Sequence, residues 1–218
     1  MRFTLSSTAL SSKLFALAKV ISNKNSLPIL ADFMFRTEGN TLFITASDSE
    51  NSMTTTIELS DSDIDDSFAI ENHSLLEAVK SFPEQPLTFE ADKNDKIVKI
   101  IYQNGQFSLP IESADVYPVA AKIADIAVSI QLSSALLSEN ISRCLCATAQ
   151  DELRPVMNGV FFDITPEYLT IVSTDGHKLV RNRIYDIKND VAASLILAKK
   201  PATILKNMLA KDDTLVTI

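Results

Sequence analysis

The chain has 218 residues, 46% of them hydrophobic, and a formal net charge of −8 at pH 7. That length suits one large core or two ordinary ones, and the acidity argues against holding nucleic acid through a broad basic surface. No apolar run approaches the length of a membrane span and the N-terminus has no apolar signal segment, so the expectation is a soluble, cytoplasmic protein.

In chain order, residues 2 to 6 alternate as a short strand, and Ser6-Ser7-Thr8 offers cap side chains for a helix running to about Ser22. Leu10, Leu14, Leu17, Ala18 and Ile21 fall at helical spacing, with Lys13 and Lys19 elsewhere on its surface. Three strands follow at 30–36, 41–46 and 53–59, then an acidic loop reaching Asp66. A strand at 68–70 leads to a second helix at about 74–82 with Leu75, Leu76, Val79 and Phe82 inward. Strands at 87–91, 97–102 and 106–111 complete this part, the last two joined at Asn104-Gly105, a strong hairpin signal. It reads as strand, helix, three strands, written twice, an α+β arrangement with an antiparallel sheet and paired helices on one side.

A Pro- and Ala-rich connector from Tyr117 to Asp125 precedes a second part of the same kind. Its expected elements are a strand at 128–132, a helix at 134–149, strands at 160–164, 169–173 and 178–187, a strand at 195–197, a helix at 201–209 and an apolar strand at 214–218. That last strand has no later strand to pair with, and two strands present in the first part are missing. The expectation is a fragment with domains at 1–120 and 121–218, the second one truncated.

The two parts are linked by a repeat at a constant offset of 127 positions, which places Pro28 on Pro155, Asp48 on Asp175, Phe35 on Phe162 and Ile44 on Ile171. Leu5-Ser6-Ser7 likewise falls on Leu132-Ser133-Ser134 without a gap. A chance match loses register within a few residues, so one domain has been duplicated.

Charge is sorted by segment. From Asp48 to Glu71 there are eight acids and no Lys or Arg, whereas Lys199, Lys200, Lys206 and Lys211 lie in a stretch without acids. Lys13 and Lys80 on the first two helices and Arg143 on the third continue this basic series, and Lys24 follows the first helix. Taken singly they read as solvated helix faces; together they give the helical layer a mild attraction for phosphate.

Asp175 and His177 are the one acid and histidine close together in an apolar setting, which a hydrolase would have to use. No nucleophile elbow accompanies them, and Asp175-Gly176 also reads as turn chemistry, with glycine at positive φ and the carboxylate capping the turn. Asp48 in the first copy supports the turn reading, while His177 faces Glu50 there and is unexplained by structure alone. His73, just before the second helix, reads as a solvated or interface residue and not as a ligand. The chain's 4 glycines form no phosphate cradle, and Cys144 and Cys146, two apart on a helix, suit neither a shared metal nor a mutual disulfide. No metal or cofactor is expected.

Leu27-Pro28-Ile29-Leu30, Phe107-Ser108-Leu109-Pro110 with Ala114-Asp115-Val116-Tyr117-Pro118, Arg154-Pro155-Val156-Met157-Asn158-Gly159 and Thr174-Asp175-Gly176-His177-Lys178-Leu179 together resemble the bacterial DNA sliding clamp family, the β subunit of DNA polymerase III, over the whole chain. The resemblance implies a non-catalytic processivity subunit. Two full-length copies would close head to tail into a ring around duplex DNA, helices lining the hole and sheets outside. It implies DNA contacts from Lys24 and the helix bases Lys13, Lys80, Arg143, Lys199 and Lys206. It implies a docking pocket for short linear motifs of polymerase subunits and the clamp loader, with Arg154, Met157, Thr174, Gly176, His177, Lys178 and Leu179 on this side. Phe107, Leu109 and Phe82 would belong to the subunit contact. Lysine stands at 178 where arginine is common, and Pro155 and Val156 stand where some members carry aromatic DNA contacts. An adaptor that binds peptides without DNA is the remaining non-enzymatic alternative.

Overall fold

The computed structural model describes residues 1–22, 25, 27–118, 128–151, 153–209 and 214–218, in two compact units, Met1–Ala121 and Lys122–Ile218. The expected Lys24 and most of the 117–125 connector lie outside the described residues.

The first unit opens with β1 (Arg2–Ser6), whose alternation buries Phe3 and Leu5. Ser6 then caps α1 (Ser7–Leu17), its Oγ accepting from the Ala9 N–H at 3.1 Å. The helix stops at Leu17, short of the expected Ser22, because Val20 turns in and is buried, its N–H donating to the Leu17 carbonyl at 2.9 Å. A 3-10 turn at Pro28–Ala31 precedes β2 (Asp32–Glu38), followed by β3 (Thr41–Ser47) and β4 (Ser52–Glu58).

The acidic loop contains β5 (Asp61–Ser62), paired with β1, and leads to β6 (Ser67–Glu71). Glu71 caps α2 (Asn72–Lys80), its carboxylate accepting from the His73 and Ser74 N–H groups at 2.9 and 2.6 Å. His73 is therefore in the first turn of the helix, and exposed. The last strands are β7 (Pro86–Asp92), β8 (Ile97–Tyr102) and β9 (Gly105–Glu112).

The nine strands form one antiparallel sheet in the order β4-β3-β2-β6-β9-β8-β7-β1-β5. Helices α1 and α2 pack on each other and against it, over a core in which Phe3 stacks on Phe89 at 5.0 Å and Phe35 on Phe68 at 5.3 Å. The hairpin between β8 and β9 forms where expected, but Tyr102 pairs with Gly105, so Gln103-Asn104 make the turn and Gly105 begins the strand. Tyr117 is not linker: it is 3% exposed, packs with Ile29, Leu30 and Ala69, and donates its hydroxyl to the Asp32 carbonyl at 3.3 Å.

In the second unit, β10 (Gln131–Ser133) leads into α3 (Ser134–Leu145), capped by Ser133 through the Leu136 N–H. That is the first-unit cap displaced by 127 residues. Instead of reaching Ala149, α3 ends at Leu145. Ala147, Thr148 and Ala149 are buried, and the Ala149 N–H donates to the Met157 carbonyl at 2.9 Å, which draws the chain off the helix axis.

A 3-10 turn at Pro155–Met157 precedes β11 (Gly159–Ile164), β12 (Leu169–Thr174), β13 (Leu179–Ile184) and β14 (Ala193–Ala198). Their order is β13-β12-β11-β14, all antiparallel. The helix α4 (Lys199–Met208) packs on α3, and Leu137, Ile141, Cys144, Phe162 and Ala202 share one core. The final strand, β15 (Leu215–Thr217), was expected to lack a partner; it pairs with β10, Val216 facing Leu132.

Candidate functional site

The hairpin β12–β13 positions the residues singled out around Asp175. Thr174 pairs with Leu179, leaving Asp175 to Lys178 as the loop. Gly176 has φ +89, as the Asp-Gly signal requires. Asp175 Oδ1 accepts from the His177 N–H at 2.9 Å and the Lys178 N–H at 2.7 Å, and the Lys178 ammonium lies 3.3 Å from Oδ2. The Lys178 and His177 main-chain donors in turn pull the Asp175 carboxyl down to about 2. The acid serves the turn, and the Asp175–His177 relay that a hydrolase would need is not formed.

Thr174 is also committed to the turn, its hydroxyl accepting from the Gly176 N–H at 3.1 Å and donating to the Lys178 carbonyl at 2.7 Å. His177 is exposed, and among the described residues its imidazole has no hydrogen-bond partner. It is therefore available to a ligand.

Beside the hairpin, a concavity of about 600 Å³ is lined by residues from four segments: the end of α3 (Leu145, Cys146), the loop around Asp151 and Arg154, the turn (Asp175, His177, Lys178) and the start of α4 (Lys199). Arg154 Nε bonds Asp151 Oδ2 at 2.9 Å, and the Leu153 N–H and Arg154 hold the Asp151 carboxyl below the usual range. Lys178 Nζ also donates to the Cys146 carbonyl at 3.1 Å, tying the turn to the end of α3. Cys146 itself is free and exposed, whereas Cys144 is buried, and burial pushes its thiol up.

Arg154, His177 and Lys178 line this concavity together, and so does Lys199, which the sequence placed among the DNA-facing bases. Met157 is half-buried on the 3-10 turn, and Leu179 opens β13 at 66% exposure; neither lines the concavity. Sequence reasoning missed Asp151. Its place three residues before Arg154 was the available signal, since that spacing lets the pair meet.

The remaining bases lie on the helix surfaces: Lys13, Lys80, Arg143 and Lys206 are exposed, Arg143 paired with Glu139 at 2.5 Å. The four helices carry six bases and two acids, Glu77 and Glu139, in a chain whose net charge is −8. Phe82 and Phe107 form an aromatic cluster with Tyr102, at 4.9 and 6.3 Å from it respectively. Leu109 lies on β9, which pairs with β8 from Gly105 to Pro110 and with β6 only at Ile111 and Glu112. Among the described residues the edge from Gly105 to Pro110 is open. Among them, too, there is no cluster that could hold a metal ion, and no helix is long and apolar enough to cross a membrane.

Residues 1–121 match the family described as DNA polymerase III beta subunit, N-terminal domain, and residues 131–218 match that subunit's central domain. Over 220 residues the chain is 24% identical to the "Beta sliding clamp" of Pseudomonas putida, and over 226 residues 26% identical to that of Bacillus subtilis. Both alignments take in 100% of the chain and 59% of the relative, so the chain spans a little over half the length of these proteins. The crystal structure of the DNA polymerase sliding clamp from Bacillus subtilis matches 100% of the chain and 59% of its own, at 25% identity and TM-score 0.91. That of the DNA polymerase III subunit beta from Pseudomonas aeruginosa has the same fold, at 23% identity and TM-score 0.91. The paired helices on antiparallel sheets, the duplicated module and these matches establish that the chain belongs to the DNA polymerase III beta subunit family.

Proposed function

We propose that the protein is a sliding clamp, which encircles duplex DNA and tethers the replicative polymerase for processive synthesis. The observation that carries this reading is the sorting of charge in a duplicated module: six bases against two acids on the helices of an otherwise acidic chain. A ring holds its DNA by topology, so weak attraction of Lys13, Lys80, Arg143, Lys206 and Lys24 for phosphate is sufficient, and tight base contacts would hinder sliding. The acidic strands and loops discourage binding elsewhere on the surface.

In this reading partner segments dock at the hairpin site. Met157 and Leu179 supply apolar contact, His177 a free imidazole, and Arg154 and Lys178 charge at the rim, around the shape set by Thr174 and Gly176. The open edge of β9 supports a role for Phe107 and Leu109, with Phe82 behind them, in the contact between two full-length subunits, because unpaired strand edges recruit another strand.

The test uses the full-length protein. Loaded onto nicked circular DNA it should be retained through gel filtration and released when the circle is cut; equal retention on linear DNA overturns the ring. Replacing Met157 and His177 by alanine should abolish binding of a polymerase-derived peptide without changing the circular dichroism spectrum. Undiminished peptide binding would remove the hairpin site from the proposal.

A further inference from the structure

Tyr117 fills a small apolar nest on the first sheet, on the face opposite the stacked Phe35 and Phe68. Ile29, Leu30 and Ala69 are buried beneath it and Met34 packs beside them, Met34 and Ala69 being paired across β2 and β6. The repeat carries Ile29, Leu30, Ala69 and Met34 onto Val156, Met157, Ile196 and Phe161. The second unit builds the same floor: a 3-10 turn at Pro155–Met157 answers the one at Pro28–Ala31, and Phe161 pairs with Ile196 as Met34 does with Ala69. Yet Val156 is 68%, Ile196 45% and Phe161 37% exposed, and Met157 is only half-buried. One exposed apolar side chain is ordinary; a group of them at a site whose twin is closed marks a face that something covers.

The route by which Tyr117 reaches its nest specifies the occupant. β9 pairs with β6 at Ile111 and Glu112, and the 3-10 turn at Ala114–Val116, capped by Ser113, then brings Tyr117 back onto Ala69. β14 stands where β6 does, with β11 on one side and, among the described residues, no strand on the other. The open nest and the open edge are therefore neighbours, and one segment that pairs with β14 and turns back satisfies both.

We propose that the nest formed by Val156, Met157, Phe161 and Ile196 seats an aromatic side chain from a segment of the full-length protein outside these 218 residues. That segment adds a strand to the free edge of β14 and then makes a turn like the one that ends at Tyr117. The chain spans 59% of the length of its clamp relatives, so such a protein has further chain to supply it. The inference goes beyond the ring and the docking of partners and depends on neither, since it concerns what closes the second unit.

The test uses the full-length protein, purified without partners and carrying Ile196→Cys. Labelling with N-ethylmaleimide, followed by mass spectrometry of the peptide that holds position 196, should be slower than in the same protein unfolded in urea by about tenfold or more, at every protein concentration. Equal rates in the folded and unfolded protein overturn the proposal. Protection that disappears on dilution overturns it too, because a second copy would then be the cover. A second variant does not depend on the thiol: Phe161→p-benzoylphenylalanine, irradiated in the full-length protein, should crosslink to an aromatic residue of the same polypeptide outside these 218 residues. An adduct within them, or on another copy, removes the proposed occupant. Replacing the aromatic residue so identified by alanine should restore fast labelling at position 196, and continued protection would overturn its role.

Discussion

In the first unit Asp48 Oδ1 accepts from the Glu50 and Asn51 N–H groups at 3.1 and 2.6 Å; in the second, Asp175 Oδ1 accepts from the His177 and Lys178 N–H groups at 2.9 and 2.7 Å. Ser47 Oγ donates to the Asn51 carbonyl as Thr174 Oγ1 does to that of Lys178. The Asn51 amide reaches the Asp48 carboxylate at 3.1 Å, and the Lys178 ammonium reaches Asp175 at 3.3 Å. Ser49 holds φ +79 where Gly176 holds +89. Every atom that closes the turn has a counterpart 127 residues away, and the substitution of His177 for Glu50 alters none of those bonds. What the turn needs has been kept, and what it does not need has diverged into a site.

The largest break in the symmetry lies at the start of β2 and β11, where Asp32 has become Gly159. A Cβ at position 159 would stand 2.7 Å from both Ile196 Cγ2 and the Leu197 carbonyl, whereas position 32 already carries one. Gly159→Ala should therefore cost about 3 kcal/mol, by pushing β14 from β11. Urea denaturation of the full-length protein measures it.

Asp32 itself gives the next effect. It is 8% exposed, and burial, with Glu112 and Glu71 nearby, raises its carboxyl to about 6. A folded-state value above the unfolded 3.8 means that its favourable contribution is complete below pH 3.8 and is lost as pH rises through 6. Asp32→Asn should therefore raise stability at pH 7 by about 2 kcal/mol and change it little at pH 3, read from Tm across that range.

Exchanging the third turn residue sharpens the comparison. Ser49→Gly relieves a left-handed serine and should gain about 0.5 to 1 kcal/mol, while Gly176→Ala should lose about 1 kcal/mol. Its Cβ would find Arg154 Nη1 at an ordinary 3.6 Å, so the loss is conformational and not steric. Paired denaturation curves check the opposite signs.

The smallest effect is the titration of Asp175. Its depressed value, about 2, means that the turn's contribution is present above the usual carboxylate range and disappears as pH falls toward 2. Carbon-detected NMR should place the Asp175 midpoint near pH 2, moving up in a Lys178→Ala variant.

The duplication, the strand and helix order and the Asp-Gly turn were legible in the residues because each depends on contacts between near neighbours or on a repeated pattern. Alternation placed Phe3 and Leu5 inside, helical spacing placed Leu10, Leu14 and Leu17, and Gly176 announced a positive φ. The ends of α1 and α3 were not legible, since Val20 is drawn into the core and Ala149 bonds Met157, partners that helix periodicity does not register. Nor was the burial of Tyr117 against Ile29 and Ala69, or the meeting of Lys199 with Arg154 and His177 in one concavity. Those were decided by which distant segments the sheet brings side by side. Local pattern determines what a segment becomes; only the packed chain determines which charges are answered and which are left for a partner.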